Sequence, residues 1–267
     1  MKKFLIILIS CFAITSFQAN ASKLTLEQAI DKAGLQRMLS QRIAKNYILI
    51  ASRINQDKAT IELDESAAQF EMNLHQLKAI TNNEQSKIAL KRLNIEWTHF
   101  REYALTEPKR ENTPQIVNRS TNLLNLANDL VTALELSSAK KSAVLINISG
   151  RQRMLSQRLA MFYLAGFSGF NEESYHQQMR DTANEFSDAL RYLIDIQENP
   201  AEIITALSDV NDQWTFYQSR FTVKRKGRYV PRVIQVITET MMQNMDDVTQ
   251  LYKKEEFVNT VFNESIK

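Results

Sequence analysis

One heptapeptide is written twice in this chain. Gln36-Arg37-Met38-Leu39-Ser40-Gln41-Arg42 recurs letter for letter, 116 residues later, as Gln152-Arg153-Met154-Leu155-Ser156-Gln157-Arg158. A glycine stands two residues ahead of each copy, at Gly34 and Gly150. The same offset brings Phe70 onto Phe186, Leu74 onto Leu190 and Leu77 onto Leu193. One residue later in register Trp97-Thr98 meets Trp214-Thr215, and further on Ala127-Asn128-Asp129-Leu130 parallels Met245-Asp246-Asp247-Val248. Ordered matches over such a length mean two homologous units, so whatever the first unit folds into, the second repeats. We place the units at 22–137 and 138–267, behind an N-terminal segment 1–21.

The punctuation says helices. Only 5 Gly and 4 Pro occur in 267 residues, too few turn formers for a β-rich or doubly wound fold. Thr25-x-x-Gln28 has the form of a capping box and opens a helix running to about Asn55. Further helices are expected over about 60–80, ending at Thr81-Asn82-Asn83, and about 84–105. Thr113-Pro114, as N-cap and first helical residue, starts the fourth. In the second unit Gly166 and Gly169 end the first helix, and Asn171-Glu172-Glu173 opens the next. Asn199-Pro200 opens the third, and Pro231 the last, after the basic loop Lys224-Arg225-Lys226-Gly227-Arg228. The expected fold is all-α, two tandem four-helix up-down bundles. No Gly or Pro interrupts Gln115 to Ser149, so one long continuous helix is expected to join them. Stacked end to end, the bundles would hold Arg37 and Arg153 roughly 40 Å apart at 1.5 Å per residue. Each arginine would then meet its counterpart only across a homodimer twofold; the alternative is a break near Ser137-Ser138 that folds the units together as an internal pseudo-dimer.

The N-terminus reads as an export signal. Met1-Lys2-Lys3 is basic, Phe4 to Phe17 is apolar, and Ala19-x-Ala21 offers the small side chains that signal peptidase accepts. The apolar run is shorter than the ~20 residues that span a bilayer, so cleavage after Ala21 and a periplasmic location are expected. Cys11, the single cysteine, leaves with that segment, which removes disulfides and thiolate chemistry from the mature chain. The formal charge is +3, and +1 once Lys2 and Lys3 are gone, a poor match to a nucleic-acid binder.

On a helix, Arg37 shares a face with Ile30, Ala33, Gly34, Ser40, Gln41, Ala44 and Ile48, and Arg153 shares one with Ile146, Ser149, Gly150, Ser156, Gln157, Ala160 and Leu164. Small residues let a second helix approach closely, and a guanidinium on such a seam must find an anion or an acceptor. Its planar fork of five donors suits a small planar oxyanion. The competing reading pairs Arg37 and Arg153 with Asp129 and Asp247 inside each bundle. Arg42 and Arg158 lie about 140° round the helix and are expected in intrabundle ion pairs.

The pattern Asn-x-(Ala/Ser)-Gly-x-x-Arg-Met-x-Ser-x-Arg resembles the P-box of the PilJ-type sensor domain. That domain is the N-terminal region of type IV pili methyl-accepting chemotaxis transducers, and it is similar to the periplasmic part of nitrate/nitrite sensor kinases. Asn147-Ile148-Ser149-Gly150-Arg151-Gln152-Arg153-Met154-Leu155-Ser156-Gln157-Arg158 follows the pattern, and the first copy departs from it at Asp31. The resemblance implies a helical bundle that binds nitrate, nitrite or a related small anion at a dimer seam. It implies ligand binding by Arg153, Gly150, Arg37 and Gly34, supported by Asn147, Ser156, Gln157, Arg158, Ser40, Gln41 and Arg42. A negative charge at Asp31 is expected to weaken the first site, leaving Arg153 the better one. Family members carry membrane helices and a kinase or methyl-accepting domain; without them this module needs a membrane-bound receptor or histidine kinase as partner. A structural or adaptor bundle beside a signalling or pilus-related partner is the rival function.

Other chemistry finds little support. Glu96-x-x-His99 is a di-iron half-motif, but Gln213 and Phe216 stand at the matching places, so neither metal nor cofactor is expected. No nucleophile-base constellation or phosphate loop occurs, which argues against an enzyme. The Lys224–Arg228 cluster reads most simply as a solvated loop.

Overall fold

The computed structural model describes residues 24–81, 83–138, 141–170, 173–223 and 229–254. The expected export signal, Asn171-Glu172 and the expected basic loop Lys224–Arg228 lie outside the described residues. Nine α-helices and one 3-10 turn follow in order, and no strand occurs among the described residues. The first unit holds α1 (Leu26–Ala51), α2 (Gln56–Lys78), α3 (Glu84–Ala104) and α4 (Thr113–Glu135). The second holds α5 (Lys141–Phe167), α6 (Glu173–Ile194), α7 (Ala201–Tyr217), the single turn α8 (Ser219–Thr222) and α9 (Pro231–Lys253).

Several helix starts follow their sequence signals. The Thr25 hydroxyl accepts from the Gln28 amide while the Gln28 side chain accepts from the Thr25 amide, so the capping box is formed. Asn83 caps α3 by accepting from the Ser86 amide, and Pro231 occupies the first turn of α9. Gly169 closes the turn after α5 at φ +90°, a backbone conformation only glycine adopts cheaply. Three starts and stops differ. Gly166 lies within α5 rather than ending it. Thr113 is already helical, and its hydroxyl donates back to the Arg110 carbonyl instead of capping. Asn199 does not cap α7; it donates to the Leu193 carbonyl and accepts from the Tyr252 hydroxyl, pinning the α6–α7 turn to α9.

The long joining helix does not form. α4 stops at Glu135 and α5 starts at Lys141. The Ser137 hydroxyl accepts from Asn83, which ties the end of α4 to the start of α3. The units therefore lie side by side rather than end to end, and α1 and α5 become the two central helices. α1 also packs on α2 and α4, and α5 on α6 and α9, so both are covered nearly all round. Early residues of α1 meet early residues of α5 and late meet late. Ser52 and Ser168, repeat equivalents, touch hydroxyl to hydroxyl at 2.8 Å. The helices are thus parallel, and the repeat is related by a pseudo-twofold axis running along them. The internal pseudo-dimer is what one chain builds.

Equivalent packing confirms the register. Trp97 stacks on Phe70 at 4.0 Å in one unit, and Trp214 tilts against Phe186 at 4.6 Å in the other. The core of both units is one continuous apolar cluster. Burial on that scale, at about 25 cal/mol per Å² of apolar surface, is the main force that holds the units together.

Candidate functional site

The repeated motif falls on the α1–α5 seam, and most of its polar residues fasten helices. Gln36 and Gln152 each donate to the carbonyl of their own Phe, Phe70 and Phe186, at 2.9 Å, which ties α1 to α2 and α5 to α6. Ser40 and Ser156 donate to the carbonyls of Arg37 and Arg153, one turn back. Gln41 and Gln157 donate to the Ser120 and Thr238 carbonyls, which ties α1 to α4 and α5 to α9. Three residues of each copy thus donate to interior carbonyls and fasten the helices, as burial favours.

The first arginines of the two copies, Arg37 and Arg153, converge. A methyl group placed on Gly34 would lie 3.2 Å from Arg37 Nη2 and 3.9 Å from Arg153 Nη2; one placed on Gly150 would lie 2.8 Å from Arg153 Nη2. Both guanidiniums are wholly buried. The expected separation of roughly 40 Å is therefore wrong for one chain, because it assumed the unbroken helix. Arg37, Gly34, Arg153 and Gly150 form a single cluster without a second copy.

Its two halves differ in charge. Arg153 donates to Asp246 and, at 2.6 Å, to Asp31 Oδ1, while Asp31 Oδ2 accepts from Lys253 at 2.7 Å. Around Arg37 the repeat-equivalent places hold asparagines. Arg37 Nη1 donates to Asn128 Oδ1 at 3.2 Å and Nη2 reaches the Asn147 carbonyl at 3.4 Å. Its Nε finds no partner, and no carboxylate pairs with it among the described residues. Burial, then Arg151 and Arg153, push the Arg37 guanidinium down to about 9, and Glu135 and Glu185 offset this only in part. Arg153 moves the other way: burial disfavours its charge, yet Asp31 and Asp246 hold it above the usual arginine value. Burial would raise Asp31, but Arg153 and Lys253 outweigh it and keep the carboxyl below its ordinary range.

Two expectations are corrected here. Asp31 does not burden Arg37 in its own unit; it crosses the seam to Arg153, because the parallel pseudo-twofold places each helix's residue beside the other's arginine. Asp129 and Asp247 are not the partners either. Asp129 sits exposed, 3.7 Å from Arg92, and the residues one step earlier, Asn128 and Asp246, face the seam. The repeat alignment already set those two opposite each other, which was the available signal.

Arg42 and Arg158 also part company. Arg42 has the expected intrabundle ion pair, with Glu62 at 3.9 Å, but its shorter bond, at 2.6 Å, goes to Glu239 of the other unit. Lys45, fully buried, bonds the same carboxylate at 2.9 Å and Glu62 at 3.5 Å. This cluster of Arg42, Lys45, Glu62 and Glu239 bridges α1, α2 and α9, and the sequence reading missed three of its four members. Arg158 donates to two amide oxygens, those of Gln41 and Gln178, and lies over the Phe162 ring. Burial lowers its guanidinium to about 10. Arg158 and Arg151 face an open groove of about 270 Å³ that Asn125, Gln178 and Glu185 also line. Arg151 pairs with Glu185 and shares Asn128 Oδ1 with Arg37, so Arg151 and Asn128 link the groove to the buried arginine. Asn147 supports the seam through its carbonyl, while its amide donates to Glu135 at 2.6 Å.

The chain is thus a duplicated helical bundle with paired, glycine-flanked arginines on its internal twofold. The model of the type IV pili methyl-accepting chemotaxis transducer N-terminal domain, PilJ, matches residues 19–123 and again 134–251. The chain belongs to that family and carries two tandem copies of its domain. These are sensor domains of chemotaxis transducers, which makes the protein a sensor-type signalling module. No curated protein and no solved structure matches the chain. No described helix is long and apolar enough to cross a membrane, and no described group of His, Cys, Asp or Glu is arranged to hold a metal ion.

Proposed function

We propose that the protein is an exported, periplasmic sensor of a small planar anion of the nitrate or nitrite class, and that it reports occupancy to a membrane-bound receptor or histidine kinase. The observation that carries this reading is Arg37: a wholly buried guanidinium, with an unpartnered Nε and no carboxylate, on a seam shared with Arg153. An uncompensated buried charge costs several kcal/mol, and a bound monoanion removes that cost. Arg37, Gly34, Asn128 and the Asn147 carbonyl frame the place, and Arg151 links it to the groove. The site reading thus moves from Arg153 to Arg37.

Binding at a seam between the two units gives a route to signalling, since a ligand shifts any equilibrium between packings that differ in their affinity for it. Calorimetry of residues 22–267 against nitrate, nitrite and formate tests the proposal. One anion per chain is expected, with the heat lost in Arg37→Met. A folded chain that gives no heat with any of the three refutes it. The adaptor reading is favoured by ion pairs that join the units without any ligand, Asp31 with Arg153 and Glu239 with Arg42 and Lys45.

A further inference from the structure

The pseudo-twofold makes the two halves of the seam a comparison built into one molecule. Opposite Arg37 stands Asn147, whose side chain turns to Glu135 and leaves only a carbonyl at 3.4 Å. Opposite Arg153, at the equivalent place, stands Asp31. Its two oxygens take Arg153 at 2.6 Å and Lys253 at 2.7 Å, and the residue is 5% exposed. A planar, resonance-stabilised oxyanion clasped between two cations on a glycine-lined seam is what a bound carboxylate or nitrate would look like there. Asp31 lies one helical turn from Gly34, so its carboxylate enters the seam from the side that Gly34 leaves open.

We propose that Asp31 is a tethered occupant of the Arg153 half of the site, a carboxylate that the chain itself supplies where a small planar oxyanion would otherwise lie. This rests on reading the seam as an anion site. It makes the receptor asymmetric: the Arg153 half is permanently filled, and exchange with free anions is confined to Arg37. Tethering removes the entropy of capturing a free ion, so an external monoanion does not displace Asp31 at ordinary concentrations. Removing the carboxylate leaves a hole of carboxylate size between Arg153 and Lys253, with Asp246 still on Arg153, and that hole carries one net positive charge.

Thermal unfolding of residues 22–267 with increasing formate tests this in four chains: natural, Arg37→Met, Asp31→Ala, and the double variant. Formate has the planar oxygens of the missing side chain and nothing else. The double variant should start less stable than Arg37→Met and gain stability with formate, while Arg37→Met alone should not respond. Adding Arg153→Met to the double variant should abolish the response. A double variant that formate does not stabilise, or a response that survives loss of Arg153, overturns the proposal. Should Asp31→Ala not fold in plain buffer, it must fold with formate present; a chain unfolded in both also overturns it. A natural chain blind to anions beside a responsive double variant would sink the Arg37 reading and leave Asp31 as occupant; the reverse pattern would do the opposite.

Discussion

Asn128→Asp puts a carboxylate where the second unit already has one. Arg37 Nη1 lies 3.2 Å from Asn128 Oδ1 and Arg151 Nη1 lies 3.4 Å from the same atom, so the new charge faces two cations without repacking. Asp and Asn are isosteric, and Asp246 shows that an acid is accommodated at the equivalent place. The donors are already ionised, so what the change adds is the Coulomb attraction of two guanidiniums for one carboxylate. Desolvation of the new carboxylate opposes that gain, since ion and counter-ion must both be held dry. With two donors already in place, a net stabilisation of about 1–2 kcal/mol follows, or roughly 2–8 °C in a chain of this size. The same change cancels the uncompensated charge on Arg37, so the response to nitrate should disappear. Stability and ligand response should move in opposite directions, as they do wherever function maintains a destabilised site. Thermal and urea unfolding, each with and without nitrate, read both quantities. A variant destabilised by more than about 1 kcal/mol that still responds to nitrate would refute the charge argument.

The remaining predictions address the scaffold and its charges. Trp97→Ala and Trp214→Ala should each cost roughly 3–5 kcal/mol in urea unfolding, because both are buried on a neighbouring ring; near-neutral effects would break the repeat register. Lys45→Met should cost about 3–5 kcal/mol by leaving Glu62 and Glu239 buried with too little positive charge, and Glu239→Gln in that background should recover part of it. Asp31 and Glu239 both titrate below their ordinary values of 3.8 and 4.5, because burial, which raises them, is outweighed by Arg153 with Lys253 and by Lys45 with Arg42. Their contribution is complete above those ordinary values. It falls with pH as the unfolded chain takes up protons first, until the folded carboxyls protonate too. The unfolding midpoint should therefore drop steeply below about pH 4, and Asp31→Asn with Glu239→Gln should flatten that limb, as circular dichroism against pH would show.

Much of the scaffold was legible without coordinates, for local reasons. Thr25 and Gln28 form their box within one turn, and Pro231 sets its own φ, so neither depends on distant residues. The repeat placed Phe70, Trp97, Phe186 and Trp214 in equivalent cores because identical patterns bury identical faces. Absence of Gly and Pro misled at Leu136–Ser138, where α4 ends although propensity alone would continue it, and where Ser137 meets Asn83 of a distant turn.

What the sequence by itself determined is the all-helical, twice-written unit and the pair of arginines set among small residues, since periodicity and side-chain chemistry are carried by near neighbours in the chain. Only the tertiary structure decided how the two copies meet. A break of a few residues laid α1 and α5 parallel, brought Arg37 and Arg153 to one seam, and sent Asp31 across it to the arginine of the other unit. Which arginine is left uncompensated depends on partners 91 to 122 positions away, Asn128 and Asn147 for one and Asp246 and Asp31 for the other. Electrostatic interaction falls with distance in space, not along the chain, so no local pattern could assign those pairs.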